Sequence, residues 1–219
     1  MVTTATLALE TPYLERGRHV IGIDEVGRGA LAGPVSVGVC LLSALAPPPH
    51  GLIDSKLLRP AAREALVPAI TQWARAVAVG HASPAEIDSV GIIAALRLAA
   101  HRALGVVAEN TGATTAVLAA ASTIILDGPH NWVAPAADLF DQHDWQQAQV
   151  VCLPKADQQC ASVAAASVVA KVERDRIMCE LPDPGYGFAQ HKGYGAASHR
   201  AAIATLGVSD HHRRSWKLQ

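Results

Sequence analysis

A chain of 219 residues that is 50% hydrophobic and 17% charged can bury one sizeable core, and its composition excludes a disordered or fibrous protein. The formal net charge of −1 argues against a nonspecific DNA-coating protein. No apolar run is long enough to span a bilayer, and the first twenty residues lack the basic start and apolar core of a signal peptide. The four cysteines, Cys40, Cys152, Cys160 and Cys179, show no CxxC spacing. Buried free thiols in a cytoplasmic protein without a membrane partner are therefore expected.

In chain order, residues 19–25 and 34–42 read as two Val- and Ile-rich strands joined by the glycine turn "VGRGALAGP". A helix enters near Pro60, a residue suited to a first helical position, and "RAVAVGHA" is a third strand. Ser83 with Glu86 three residues on is a capping-box pattern, and helix follows to about Gly105. "STIILDG" is a short strand ending in a carboxylate and a glycine. Residues 129–148 have no clean period and read as an irregular excursion. "QVVCLPKAD" is another strand, and a long helix follows with Asp157 as its N-cap. A glycine-rich segment and a last helix near 197–206 complete the chain. Two opening strands followed by alternating strand and helix predict an α/β protein with a mixed sheet covered by helices.

Four acids stand at element ends: Asp24 and Glu25 end the first strand, Asp127 ends "IILD", and Asp157 begins the long helix. Each alone reads as a cap or turn residue. Together they read differently, because strand ends in open α/β sheets converge on the edge where ligands bind. Clustered carboxylates repel unless divalent cations sit among them. Carboxylate oxygens suit Mg²⁺ or Mn²⁺, and two such ions can activate water on one side of a phosphodiester and stabilise the leaving oxygen on the other. After Tyr186, Lys192, Arg200, Arg213, Arg214 and Lys217 face Asp210 alone. That excess of four positive charges suggests a polyanion at this edge or a solvated face. His191, His211 and His212 fit no zinc spacing.

"GIDEVGRGALAGPV", "DSK" at 54–56, "LDG" at 126–128, "ADQQCASVAAASVVAKVERDR", "YGFAQHKGYG" at 186–195 and "HHRRSW" at 211–216 together resemble the ribonuclease HII family, from about residue 19 to the end. Enzymes of that family cut the RNA strand of RNA–DNA hybrids and single ribonucleotides in duplex DNA. The resemblance implies an RNase H-like fold with a mixed five-stranded sheet flanked by helices. It implies a catalytic domain over 1–180 and a small C-terminal helical, basic substrate-binding lobe over 181–219. It assigns Asp24, Glu25, Asp127 and Asp157 as the catalytic, metal-binding acids of a two-metal site for Mg²⁺ or Mn²⁺. It assigns Gly27, Arg28 and Gly29 to the ribose 2′-hydroxyl, which distinguishes RNA from DNA at one position. Tyr194 matches the tyrosine that packs on the sugar after the ribonucleotide, and Lys56 a phosphate contact. Cutting 5′ of the ribonucleotide by a monomer, leaving a 3′-hydroxyl and a 5′-phosphate, is the implied reaction.

The chain departs from the family pattern at Ala30, Ala156 and Pro129, and the segment between Asp127 and Asp157 is longer than typical. Asp138, Asp141 and Asp144 lie in that segment as alternatives for the fourth acid. A junction resolvase of the same fold and a noncatalytic hybrid-binding module are the rival readings. The "GRG" turn and the tyrosine motif oppose the first, and the presence of all four acids opposes the second.

Overall fold

The computed structural model describes residues 4–134 and 143–218. After a short helix α1 (Thr11–Leu14), strands β1 (His19–Val26) and β2 (Val35–Leu42) form the expected hairpin across the glycine turn. A 3-10 turn (Ser55–Leu57), α2 (Pro60–Trp73) and β3 (Ala76–Ala82) follow. Then come α3 (Pro84–Val90), α4 (Ile92–Thr111), α5 (Thr115–Ala121) and β4 (Ser122–Asp127). Beyond the excursion stand β5 (Gln149–Leu153), α6 (Ala161–Glu180), α7 (Phe188–His191) and α8 (Ala197–Leu206).

The sheet order is β3-β2-β1-β4-β5. β1 and β3 are antiparallel to β2, and β1, β4 and β5 run parallel, so the sheet is mixed and five-stranded as the sequence predicts. Alternating side chains divide its core in two. Ile21, Ile23, Val37 and Leu126 pack toward α4, and Val20, Cys40 and Ile125 toward α6. Residues 161–170 of α6 are buried throughout, and their small side chains bring the helix backbone onto the strands. Gly38 is what the approach requires, because a Cβ there would run into the Ala166 carbonyl.

Two expectations are corrected. The capping box of Ser83 and Glu86 is present, but its neighbour α4 runs past Gly105 to Thr111 before Gly112 ends it in the left-handed region (φ 69°). Asp157 is not the N-cap of α6. It lies in a separate 3-10 turn (Ala156–Gln158), and α6 begins after an extended Cys160 that makes no side-chain cap. The acid serving this helix start is Glu10, fully buried, whose Oε1 accepts from both the backbone N–H and the hydroxyl of Ser162 at 2.9 Å. A carboxylate at a helix N-terminus is favourable, so Glu10 fills the local role and leaves Asp157 without it. Cys40 and Cys160 are buried as expected, whereas Cys179 is exposed.

The C-terminal segment packs its own cluster of Tyr186, Phe188, Ile203 and Leu218 against Leu31, Ala32 and Met178. At its centre His199 and His212 are buried with their Nε2 atoms 3.1 Å apart, so one proton serves both. His212 Nδ1 accepts from the Ser209 N–H, so its proton is assigned to Nε2, and His199 Nδ1 donates to the Tyr194 carbonyl at 2.8 Å. Both rings are therefore needed neutral. Burial, reinforced by each other's charge, lowers His212 to about 4 from the ordinary 6.5. A depressed histidine stabilises the fold fully above its ordinary pKa, and that contribution is lost as pH falls from 6.5 through 4. Urea unfolding of wild type and His212→Gln from pH 7.5 to 4.5 should show the stability gap closing with acid. A gap independent of pH would contradict this assignment.

Candidate active site

The register that pairs Ile23 with Leu126 brings Asp24 level with Asp127 on adjacent parallel strands. Alternation turns Asp24 toward the α6 face and Glu25 toward the α4 face. Asp127 Oδ1 accepts from the Ala156 N–H at 2.7 Å, which ties the end of β4 to the turn carrying Asp157. Asp157 Oδ2 lies 3.4 Å from Lys56 Nζ. Lys56 in turn sits on the 3-10 turn capped by Asp54, whose Oδ1 accepts from the Lys56 N–H at 2.8 Å.

Asp24 is 2% exposed. Its Oδ1 accepts from the Glu25 N–H, while its Oδ2 is buried without a hydrogen-bond partner. Burial pushes the Asp24 carboxyl well above the usual carboxylate range; Glu25 and Asp127 push it further, and Ser167 and Lys56 work the other way. Burial also raises Glu25, with Arg28 opposing and Asp127 adding. Asp157 is pushed up to about 6, by burial first and by Asp54 and Asp127, against Lys56. The acids thus feel one another across the sheet edge. Burial works against the Lys56 charge, but Asp24, Asp157 and Asp54 outweigh it and hold the ammonium above its usual pKa.

Asp24, Glu25, Gly27, Arg28, Gly29, Lys56 and Tyr194 line one cleft of about 210 Å³, together with Ser55, Ser167 and Lys171. Asp157 reaches it through Lys56, and Asp127 borders the other side of Glu25. Among the described residues, no three acid, histidine or cysteine side chains are gathered as a ready metal cage. Glu25 instead leans 3.4 Å from Arg28, and Asp157 toward Lys56. Asp144 is tied to the Thr115 hydroxyl, and Asp138 and Asp141 lie outside the described residues.

The glycine turn is held from beneath by two arginines. Arg174 and Arg213 are each fully buried, and neither forms an ion pair among the described residues. Arg174 donates to the carbonyls of Pro34, Lys192 and Ala32 at 2.8–3.2 Å. Arg213 donates to those of Gly27, Arg28 and Gly33 at 2.6–3.2 Å. This corrects the reading of Arg213 as part of a basic surface. Burial and the neighbouring Arg174 lower its pKa to about 9, which still leaves it charged at neutral pH. The exposed cations of the tail are Arg200, Arg214 and Lys217, of which Arg214 pairs with Asp210 at 2.7 Å. Gly27 is glycine because of this scaffold, since its φ is +83° and a Cβ would overlap the Arg174 guanidinium. Gly29 has open space where its Cβ would be. Tyr194, 37% exposed, lies over Arg174 (5.4 Å) and Lys171 (6.0 Å).

Sequence reasoning missed Arg174, Lys171 and Ser167. The only signal for them is an unbroken small-residue helix that ends in charges immediately after the buried stretch.

Comparison with known proteins decides the family. The family model described as Ribonuclease HII matches residues 21–219. The chain belongs to the ribonuclease HII family. Ribonuclease HII of Streptomyces avermitilis is 43% identical over 199 residues, covering 90% of this chain and 76% of that one. A ribonuclease HII of Thermus thermophilus is 43% identical over 209 residues, covering 94% and 90%. The fold matches RNase HII in its PCNA complex from Archaeoglobus fulgidus, with a TM-score of 0.64, 24% identity and coverage of 90% and 93%. It also matches Bst-RNase HIII in complex with Mn²⁺, with a TM-score of 0.66, 21% identity and coverage of 94% and 70%. As a member of the ribonuclease HII family, the chain is a ribonuclease H-type endonuclease of RNA–DNA hybrids. No helix among the described residues is long and apolar enough to cross a membrane.

Proposed function

We propose that this cytoplasmic, monomeric enzyme cuts the RNA strand of hybrids and the 5′ side of single ribonucleotides in duplex DNA. The observation that carries the reading is the single cleft joining the glycine turn, Lys56 and Tyr194 to Asp24 and Glu25. Asp24, Glu25, Asp127 and Asp157 would hold two divalent ions, Mg²⁺ or Mn²⁺. The donor set fits, being all carboxylate, with Asp24, Glu25 and Asp157 raised by burial first and then by neighbouring carboxylates, and with one buried oxygen of Asp24 unpartnered. Bound there, the ions supply an activated water and charge stabilisation for the leaving oxygen.

The residues of the chain set the position. The backbone of Gly27, Arg28 and Gly29 reads the 2′-hydroxyl, with Arg213 fixing the carbonyls of Gly27 and Arg28. Tyr194 supports the next sugar, its ring backed by Arg174 and its carbonyl by His199. Lys56 takes a phosphate, exchanging Asp157 for it. Residues 181–219 act as the substrate-binding lobe through Tyr194 and the exposed cations Arg200, Arg214 and Lys217. The reading is tested by cleavage of hybrid, single-ribonucleotide and all-DNA duplexes with and without Mg²⁺ or Mn²⁺. Metal-dependent cutting of the first two alone is expected, and cutting of all three would favour a resolvase.

Gly29 gives the cleaner probe of the turn, since a side chain at Gly27 would disturb Arg174 first. Gly29→Val should lower kcat/KM on a single-ribonucleotide duplex by roughly tenfold or more, through loss of a polar contact at a desolvated site, with the unfolding midpoint unchanged. Full activity in Gly29→Val would remove this residue from recognition.

A further inference from the structure

A second cleft, of about 400 Å³, meets the first at Glu25 and Arg28. It lies on the α4 side of the sheet, whereas Ser167 and Lys171 place the first on the α6 side. Its walls are Ile93 and Arg97 of α4, and the segment from Asp127 to Trp132 that opens the long excursion. That segment is built firmly. Trp132 and Val133 are buried in the α4-side core. Arg97 Nε donates to the Trp132 carbonyl at 3.3 Å, His101 Nε2 bonds the Val133 carbonyl at 2.9 Å, and the Asn131 side chain brackets Ala134. Ile93, 44% exposed, and Pro129 offer an apolar surface there, and Arg97, His130 and Arg28, the last paired with Glu25, stand at its rim.

We infer that this second cleft holds the nucleotide on the 5′ side of the scissile phosphate, its sugar and base against Ile93 and Pro129 and its own 5′ phosphate beside Arg97. The inference rests on the proposed function and deepens it. If the α6-side cleft takes the ribonucleotide and the sugar after it, a strand crossing the acids must leave on the α4 side. An apolar surface rimmed by guanidinium groups suits that nucleotide's sugar, base and phosphate. The first part of the excursion thereby has a role, as the outer wall of this subsite.

The test uses the full chain and duplexes carrying one ribonucleotide. In one duplex the phosphate on the 5′ side of the upstream nucleotide is a neutral methylphosphonate; in another that nucleotide is abasic. Wild type should lose roughly tenfold in kcat/KM on the first. Arg97→Ala should lose a similar factor on the unmodified duplex and show no further loss with the methylphosphonate. Ile93→Asp, at an exposed position that cannot disturb the core, should lose activity on the unmodified duplex and become insensitive to the abasic change. Lys56→Ala should keep both sensitivities. Undiminished sensitivity in the Arg97 and Ile93 variants, with wild type cutting 5′ of the ribonucleotide, would overturn the subsite alone. Failure of wild type to cut the unmodified duplex would overturn the proposed function instead.

Discussion

Asp24→Asn is expected to lower cleavage by about a thousandfold or more while raising the unfolding midpoint of the metal-free protein by a few degrees. The two effects have one cause. The Asp24 carboxylate is buried, one oxygen has no partner, and burial, Glu25 and Asp127 all oppose its charge. A group whose folded-state pKa is raised stabilises the fold at low pH and loses that contribution as pH rises through it. Ionising Asp24 therefore costs the metal-free fold stability. Asparagine keeps the shape and an oxygen able to accept from the Glu25 N–H, and removes the repulsion. A gain of about 1 kcal/mol corresponds to roughly 2–4 °C in a chain of this size. Asp127→Asn should also abolish cleavage without unfolding the protein. Calorimetry with EDTA, beside a cleavage assay, checks both halves. A large fall in midpoint with activity retained would make Asp24 a structural residue.

Arg213→Met should be among the most destabilising single changes, at about 3–5 kcal/mol, while Arg214→Glu next to it stays within about 1 kcal/mol of wild type. Arg213 is fully buried, satisfies the carbonyls of Gly27, Arg28 and Gly33, and lies 4.9 Å from the Trp216 ring. Removing it strips the Arg28 and Gly33 carbonyls of this donor and leaves Gly27 with the Ala30 N–H alone, and each orphaned buried group costs roughly 1–3 kcal/mol. Arg214 is exposed, and among the described residues its side chain pairs with exposed Asp210 alone. Charge reversal at Arg214 should instead weaken binding of hybrid and DNA alike and flatten the salt dependence. Urea titrations of the two variants decide the matter, and equal small effects would return Arg213 to the surface.

These adjacent arginines show where pattern reading stops. Apolar runs ending in a carboxylate were enough to place β1, β4 and three of the acids, because burial and strand length are written locally. The partners of Arg213 stand 180 to 186 residues away and are backbone carbonyls, which no side-chain pattern encodes. Asp157 reads as the cap of α6 for the same reason, whereas the carboxylate that serves that helix comes from Glu10, 152 residues before its partner Ser162. Nothing in the spacing of the tail histidines marks His199 and His212, yet the two form the buried relay to Tyr194. The glycine turn was legible as a joint, but its support from Arg174 and Arg213 emerges only when the chain closes on itself.

In the proposed function the carboxylates and glycines share one turn so that a backbone reading a ribose beside the acids dictates which phosphodiester is cut. Mapping the products of an end-labelled DNA duplex carrying one ribonucleotide tests that claim most directly. The account predicts a single cut on the 5′ side of the ribonucleotide, with a 3′-hydroxyl and a 5′-phosphate, and almost none when that position is 2′-deoxy. A 2′,3′-cyclic phosphate end, or equal cutting of the all-DNA control, would contradict it.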